Sequence, residues 1–159
     1  NQEGSVPLYL SGAIDSKRKK LVMIGSGYAY IHDISQSGTV VRQNLSSSGA
    51  TDIISAGAPG LAYDPVSDRI VAWNGGSSVY SLNMDTLVWT KLGPAASNSV
   101  TPSQVTAAGG TFGRFQYIPS KNAFIAVNAT NENVYIYKLS SGSGAPPPQQ
   151  PAKPVVNVQ

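Results

Sequence analysis

Residues that could carry out chemistry are few in this 159-residue chain, and His32 is its only histidine. It precedes Asp33, and a histidine beside a carboxylate is a common general base. Side chains of adjacent residues on a strand point to opposite faces of a sheet, and this pair lies in a segment that we expect to be a strand. We therefore predict a structural or surface role for His32 and no catalytic dyad.

Metal and cofactor chemistry finds little support in the residue types. The chain has no cysteine, which excludes disulfides and thiolate ligands, and one histidine alone does not make a zinc or copper site. The eight acidic residues are scattered without the alternating spacing of a calcium loop. Gly25-Ser26-Gly27 has part of a dinucleotide fingerprint but lies between two predicted strands, which favours a hairpin turn. The sequence predicts no metal and no cofactor.

Basic residues outnumber acidic ones by 11 to 8, and four of them form the run Lys17–Lys20. Such a run can bind polyanions, but aromatic residues do not alternate with basic ones elsewhere, as nucleic-acid surfaces require. We interpret the run as a solvated hairpin turn and predict no nucleic-acid partner. Apolar runs such as Ala123–Val127 are far shorter than the roughly 20 residues of a membrane-spanning helix, so we predict no membrane span.

Three copies of one unit organise the chain, and such repeats decide the predicted fold. Tyr63-Asp64-Pro65 aligns with Tyr117-Ile118-Pro119, and Val79-Tyr80 aligns with Val134-Tyr135 after one inserted residue. The first copy is weaker but in phase, with Tyr30 at the position of Tyr80. Each copy reads as short strands rich in Val, Ile and Tyr that are separated by polar turns, which is typical of antiparallel hairpins.

A fourth predicted strand closes two of the copies, at Thr39–Arg42 and Leu87–Leu92. Four-stranded units that repeat about every 50 residues are typical of β-propeller blades. In the second copy, Gly75-Gly76, Tyr80 and Trp89 follow the order of a kelch repeat. The chain therefore resembles the kelch-type β-propeller family, although the first and third copies lack the diglycine and the tryptophan.

The resemblance implies an all-β fold in which residues 1–139 form three four-stranded blades. Residues 140–159 are predicted to be a Ser/Gly/Pro-rich linker to a further domain. Propellers usually close with four to eight blades, so a second copy of the chain or missing blades must complete the ring. The third copy has no fourth strand, and we expect Val6–Leu10 of a partner chain to pair beside its Tyr135–Leu139.

Propeller geometry places the loops between second and third strands on one face, together with the connectors Ser46–Gly60 and Ala95–Gly113. Asn, Ser, Thr, Gly and Tyr dominate these segments, and such groups suit neutral sugars or polar protein surfaces. Arg114, expected to open the first strand of the third blade, is the best candidate for an inward-facing charge. The predicted ligand-binding residues are Tyr28, Asn74, Arg114, Asn128, Asn131 and Glu132.

The sequence thus predicts a binding module that recognises a glycan or a protein surface and is not catalytic on its own. The low charge content of 12%, the lack of cysteine and a start without an initiator Met favour a processed, secreted chain, bacterial in origin. One alternative is a portion of a carbohydrate-active enzyme that resembles galactose oxidase or a polysaccharide lyase, with catalytic residues outside this chain. Another is an intracellular kelch-type scaffold for protein interactions.

Overall fold

The computed structural model describes residues 7–105 and 110–139. Over these residues the secondary structure consists of β-strands and three short 3-10 turns, with no α-helix. The prediction of an all-β chain is therefore confirmed. The predicted linker of residues 140–159 and the residue Val6 lie outside the described part of the chain.

The first sheet is an antiparallel meander whose four strands follow one another in chain order. The fourth strand begins at Arg42, later than the predicted Thr39, because His32 pairs with Arg42 and Tyr30 with Asn44. Thr39–Val41 therefore lie in a wide loop, where Val41 is exposed. The strands are β1 (Ser11–Asp15), β2 (Lys20–Gly25), β3 (Tyr28–Asp33) and β4 (Arg42–Asn44).

The second sheet has the same antiparallel meander and one additional strand at its outer edge. This strand, β5 (Ser48–Gly49), comes from the connector after the first sheet and pairs in parallel with the last strand of the second. The sequence analysis did not predict it, because two residues are too few to show a periodicity. The other strands are β6 (Gly60–Asp64), β7 (Arg69–Trp73), β8 (Val79–Asn83) and β9 (Val88–Leu92).

The third sheet consists of three antiparallel strands, β10 (Phe115–Ile118), β11 (Ala123–Ala126) and β12 (Tyr135–Tyr137). Within the described residues no fourth strand pairs with β12, as the sequence led us to expect. The three sheets do not close into a ring over residues 7–105 and 110–139.

The turn between the first two strands follows one design in the first two sheets. The Oδ1 atoms of Asp15 and Asp64 each accept two backbone N–H bonds, from the residues two and three positions ahead, at 2.9–3.3 Å. Lys19 and Asp68 then close the turns with positive φ angles of 54° and 55°, and Asn122 does so in the third sheet at 44°. Asp15 and Asp64 thus each form an Asx-turn.

The first strands of the three sheets lie side by side, β1 against β6 and β6 against β10. Two apolar cores result, one between the first and second sheets and one between the second and third. Strand β7 supplies both, because Ile70 and Ala72 enter the first core while Val71 and Trp73 enter the second. Burial on both faces explains why β7 is a continuous apolar run rather than an alternating one.

An ion-pair network joins the first two sheets at the end opposite the long connectors. The Arg18 guanidinium donates to Asp15 at 2.8 Å, to Asp68 at 2.7 Å and to Asp85 at 2.9 Å. Asp15 is fully buried and the Arg18 side chain is only 18% exposed, whereas Lys17, which also pairs with Asp68, is 63% exposed. The basic run is a hairpin turn as predicted, but Arg18 within it holds two sheets together and is not solvated.

We predict that Arg18→Met lowers the free energy of unfolding by about 2–4 kcal/mol at pH 7. The substitution keeps the aliphatic stem but leaves the buried Asp15 carboxylate without its cation, and breaking a buried pair typically costs about 3–5 kcal/mol. Partial exposure of the guanidinium reduces that figure. Lys17→Met is the matched control, and loss of its exposed pair should cost under about 1 kcal/mol. Urea denaturation of both variants measures the difference.

The difference in unfolding free energy between the wild type and Arg18→Met should depend on pH. The hydrogen bonds from Arg18, followed by that from Lys17, hold the pKa of Asp68 well below its usual range. A folded-state pKa below the unfolded value contributes stability above about pH 4, and this contribution is lost as the pH falls further. The stability gap between the wild type and Arg18→Met should therefore stay constant from pH 7 to about pH 5 and narrow as the pH falls below about 4. An unchanged gap would contradict the ion-pair account.

Candidate functional site

The long connectors pack against the hairpin loops that join second and third strands. The backbone N–H groups of Ser26 and Gly27 donate to the carbonyls of Ala56 and Ile54, at 2.8 and 2.9 Å. Ser26 and Gly27 form the two-residue turn between β2 and β3, with φ angles of 51° and 84°. Gly25-Ser26-Gly27 is thus a hairpin turn, as predicted, and the connector covers its tip.

The diglycine Gly75-Gly76 has a specific steric reason. Both residues have positive φ, 86° and 68°, and Gly75 forms a β-bridge with Gln104 of the second connector. A Cβ atom on Gly75 would lie 2.4 Å from the backbone N of Val105. Glycine at position 75 is therefore required both by the positive φ and by the close approach of the connector backbone.

A polar cleft of about 470 Å³ lies where the β7–β8 hairpin meets the two connectors. Most of the side chains around it are hydroxyl or amide groups, and one carboxylate and one ammonium group complete them. We call this site the polar cleft. Its polar side chains are Asp52, Ser55, Asn74, Ser77, Ser78, Tyr80, Lys91, Thr101 and Gln104.

Tyr80, Asp52 and Lys91 form a connected group in the polar cleft. The Tyr80 hydroxyl donates to Asp52 Oδ2 at 2.5 Å, and Lys91 Nζ lies 3.7 Å from the same oxygen and 5.2 Å from the Tyr80 ring centroid. Burial, followed by the hydrogen bond to the Asp52 carboxylate, raises the pKa of Tyr80 above its usual range. The group thus presents fixed charges and dipoles beside the cleft.

Asn74 is the one predicted ligand-binding residue that lines the polar cleft. Its Oδ1 atom is buried and has no hydrogen-bond partner among the described residues. Buried polar atoms are nearly always bonded, so this oxygen is a candidate to accept a hydrogen bond from a water molecule or a ligand.

Asn128 and Glu132 belong to a second cluster, which secures the loop of the third sheet. Asn128 Nδ2 donates to the carbonyl and the hydroxyl of Ser103, at 3.0 and 2.5 Å, and lies 3.4 Å from Glu132 Oε2. Hydrogen bonds from Ser103, then from Asn128 and Tyr135, lower the pKa of Glu132. Because the Ser103 carbonyl also accepts the Gly76 N–H, this cluster adjoins the polar cleft.

Arg114 lies at the end of the 3-10 turn Phe112–Arg114 and not in the strand that the sequence analysis assigned it to, since β10 begins at Phe115. Its guanidinium donates to the carbonyls of Thr111, Asn128 and Gly110. Three backbone carbonyls from two segments thus converge on one charged group. This geometry fixes the start of the third sheet to its loop.

The two remaining predicted residues lie apart from the polar cleft. Tyr28 is exposed at the start of β3 and stacks on Tyr30, with ring centroids 6.0 Å apart. Asn131 is exposed in the β11–β12 loop. The six predicted residues therefore occupy three locations. The sequence analysis missed Asp52, Lys91 and Gln104, because nothing in the local pattern relates the connectors to the hairpin.

His32 and Asp33 do not act as a pair. His32 lies on β3 between Leu21 and Arg42 of the neighbouring strands, whereas the Asp33 carboxylate binds Lys20 Nζ at 2.6 Å. Within residues 7–105 and 110–139, no three His, Asp or Glu side chains are grouped so as to hold a metal ion. The described part of the chain also has no helix long and apolar enough to cross a membrane.

A second, larger cleft of about 690 Å³ lies between the second connector and β12. Trp73, Phe115, Tyr135 and Tyr137 line it, and the second connector contributes Pro94, Ala95, Asn98, Val100 and Pro102. We call it the aromatic cleft. The Trp73 and Phe115 rings at its base are stacked, with centroids 6.1 Å apart.

Comparisons with models of protein families, with curated proteins and with solved structures find no match to this chain. The kelch resemblance therefore rests on the repeated residues of the sequence alone.

We predict that Gly75→Ala destabilises the protein by at least about 2 kcal/mol more than Gly27→Ala. The two glycines have almost the same φ, 86° and 84°, so both substitutions carry the left-handed penalty of about 1–2 kcal/mol. Only Gly75 adds a backbone clash with the connector, since a Cβ on Gly27 meets nothing within 4 Å. Thermal and urea unfolding compare the variants, and equal destabilisation would contradict the packed connector.

Proposed function

We propose that this chain is a β-propeller-type binding module that takes a neutral saccharide at the polar cleft and does no catalysis on its own. The three sheets would be consecutive blades of kelch type. Support comes from their shared meander order, from the repeated Asx-turns, and from the contacts of their first strands. The residues Gly75-Gly76, Tyr80 and Trp89 also stand in the order of a kelch repeat.

The composition of the polar cleft is the observation that carries the ligand class. Each sugar hydroxyl both donates and accepts hydrogen bonds, and the cleft offers amides, hydroxyls, a carboxylate and an ammonium group as partners. The unsatisfied Asn74 Oδ1 would accept from a sugar hydroxyl after a small side-chain shift. A volume of about 470 Å³ falls within the range of about 300–1,000 Å³ of small-ligand pockets.

A protein ligand is the second candidate, and the aromatic cleft favours it. Strand β12 borders this cleft and has no described partner on its outer side. An extended peptide could add to that edge and place apolar side chains against Tyr135 and Tyr137. The two clefts share Gly76 and Ser77, but Asn74 and Gln104 line only the polar cleft and Tyr137 lines only the aromatic cleft, so substitutions at these residues separate the two candidates.

The low charge content and the absence of cysteine accord with the proposed secreted location. Under the enzyme alternative, which resembles galactose oxidase or a polysaccharide lyase, catalytic histidines and tyrosines would come from outside this chain. An intracellular scaffold would instead use the aromatic cleft.

We expect an array of neutral di- to tetrasaccharides to identify a ligand whose dissociation constant rises about tenfold in Asn74→Ala. The loss of one satisfied hydrogen bond in the polar cleft is worth roughly this factor. Gln104→Ala should have a similar effect, measured by titration calorimetry with the best array ligand. Asn131→Ala is the matched control, because it removes the same amide at an exposed site outside the cleft.

Two results would contradict the proposal. One is binding that survives both cleft substitutions but is lost when Lys19 and Lys20 are neutralised, which would move the site to the opposite end of the sheets. The other is an array without any ligand while an extended apolar peptide binds and is lost on Tyr137→Ala, which would favour the second candidate.

A further inference from the structure

Each described junction between sheets brings together two kinds of sheet face. At the junction of the first and second sheets, β6 contributes Leu61 and Tyr63 to the core between them. At the junction of the second and third sheets, β10 contributes Phe115 in the same way. The equivalent positions on β1 are Gly12 and Ile14, and Ile14 is 54% exposed. We call the side of the first sheet formed by Ile14, Leu21 and Met23 the front face. It has no described neighbour.

The third sheet leaves the opposite kind of face open. In the second sheet, Val71 of β7 pairs with Ser81 of β8, and both residues are buried at the second junction. The equivalent pair in the third sheet is Ile125 of β11 and Ile136 of β12. Ile136 is 61% exposed. We call the side formed by Ile118, Ile125 and Ile136 the rear face. Over residues 7–105 and 110–139, the first and third sheets therefore each leave one face without a neighbouring sheet, and these two faces are unlike.

The two existing junctions share a polar pair near the Asx-turns. At the first, burial, a hydrogen bond to Asp68 and the charge of Asp15 raise the pKa of Tyr63. At the second, burial and the nearby Asp64 carboxylate raise the pKa of Tyr117. The Tyr63 and Tyr117 hydroxyls donate within their own sheets, to Asp68 at 2.8 Å and to Asn122 at 3.0 Å. Because the first strands of neighbouring sheets lie side by side, each tyrosine also pairs with a buried aspartate, Asp15 or Asp64, on the first strand of the preceding sheet.

Both partners of this pair are replaced at the open ends. Ile118 occupies the position of Asp15 and Asp64, and Ile14 occupies the position of Tyr63 and Tyr117. An aspartate on the rear face would need a polar partner, and a tyrosine on the front face would need a carboxylate. The change at both ends at once makes the two open faces complementary to each other.

We propose that the front face of one chain docks on the rear face of a second copy, and that two such contacts close a ring of six sheets. The contact continues the arrangement of the two described junctions, with an Ile14–Ile118 pair in place of tyrosine and aspartate. This inference does not depend on saccharide binding, since neither face includes the polar cleft.

Charges at the rim of this contact provide a sharp test. Arg18 of the first sheet pairs with Asp68 of the second at the first junction. At the proposed contact, Lys121 of one chain takes the position of Arg18, and Lys19 of the second copy takes the position of Asp68. Two like charges would thus oppose each other at the rim, in solvent. Lys121→Asp should strengthen the association severalfold at low ionic strength, and 0.5 M salt should remove most of this gain.

Sedimentation of the full 159-residue chain is the experiment. We expect a species of twice the 16.6 kDa chain mass at micromolar concentration. Ile14→Arg and Ile136→Lys, both at exposed positions, should each raise the dissociation constant at least about tenfold. Val41→Lys is the control, because Val41 is exposed outside both faces and its substitution should leave the mass unchanged.

Circular dichroism establishes that each variant is folded. A folded wild type that remains a monomer up to about 100 µM would overturn the proposal. So would a dimer that withstands Ile14→Arg and Ile136→Lys, or a Lys121→Asp variant that associates no more tightly than the wild type at low salt. Loss of saccharide binding in Asn74→Ala would leave all these results unchanged, so the two proposals fail separately.

Discussion

Burial of the second sheet on both faces is the constraint on which the rest of the structure depends. Strand β7 sends Ile70 and Ala72 into one core and Val71 and Trp73 into the other, so neither core exists without it. At about 25 cal/mol per Å² of apolar surface, such two-sided burial is the main source of cohesion in a chain with few charges. Among the described residues, the first and third sheets are each covered by another sheet on one face only, and Ile14 and Ile136 are exposed on the other.

The same stacking positions the polar groups. Because the first strands lie side by side, Arg18 reaches carboxylates that are 50 and 67 residues away in the sequence. At the other end, the connectors that link successive sheets must cross the hairpin tips. There Gly75 bridges to Gln104, and Asp52 meets Tyr80. The polar cleft is thus a consequence of how the sheets are connected.

Features that depend on local sequence could be predicted well. The repeats gave the all-β class and nearly all strands, and Gly25-Ser26-Gly27 forms the hairpin turn expected of it. Features that depend on distant partners could not be predicted. Arg18 was interpreted as part of a solvated basic run. Arg114 was assigned to a strand, although three carbonyls hold it in a 3-10 turn. Asp52 and Gln104 showed no pattern in the sequence that would mark them as site residues. Of the six predicted ligand residues, Asn74 alone lines the polar cleft.

Two-sided burial of β7 can be tested most directly by nuclear Overhauser contacts in the isolated chain. The account predicts cross-peaks from the Ile70 methyl groups to Val22 or Ile24 of the first sheet. It also predicts cross-peaks from the Trp73 indole to the Phe115 ring of the third. Contacts from both residues to the same neighbouring sheet, or the absence of either set in a folded sample, would contradict the account.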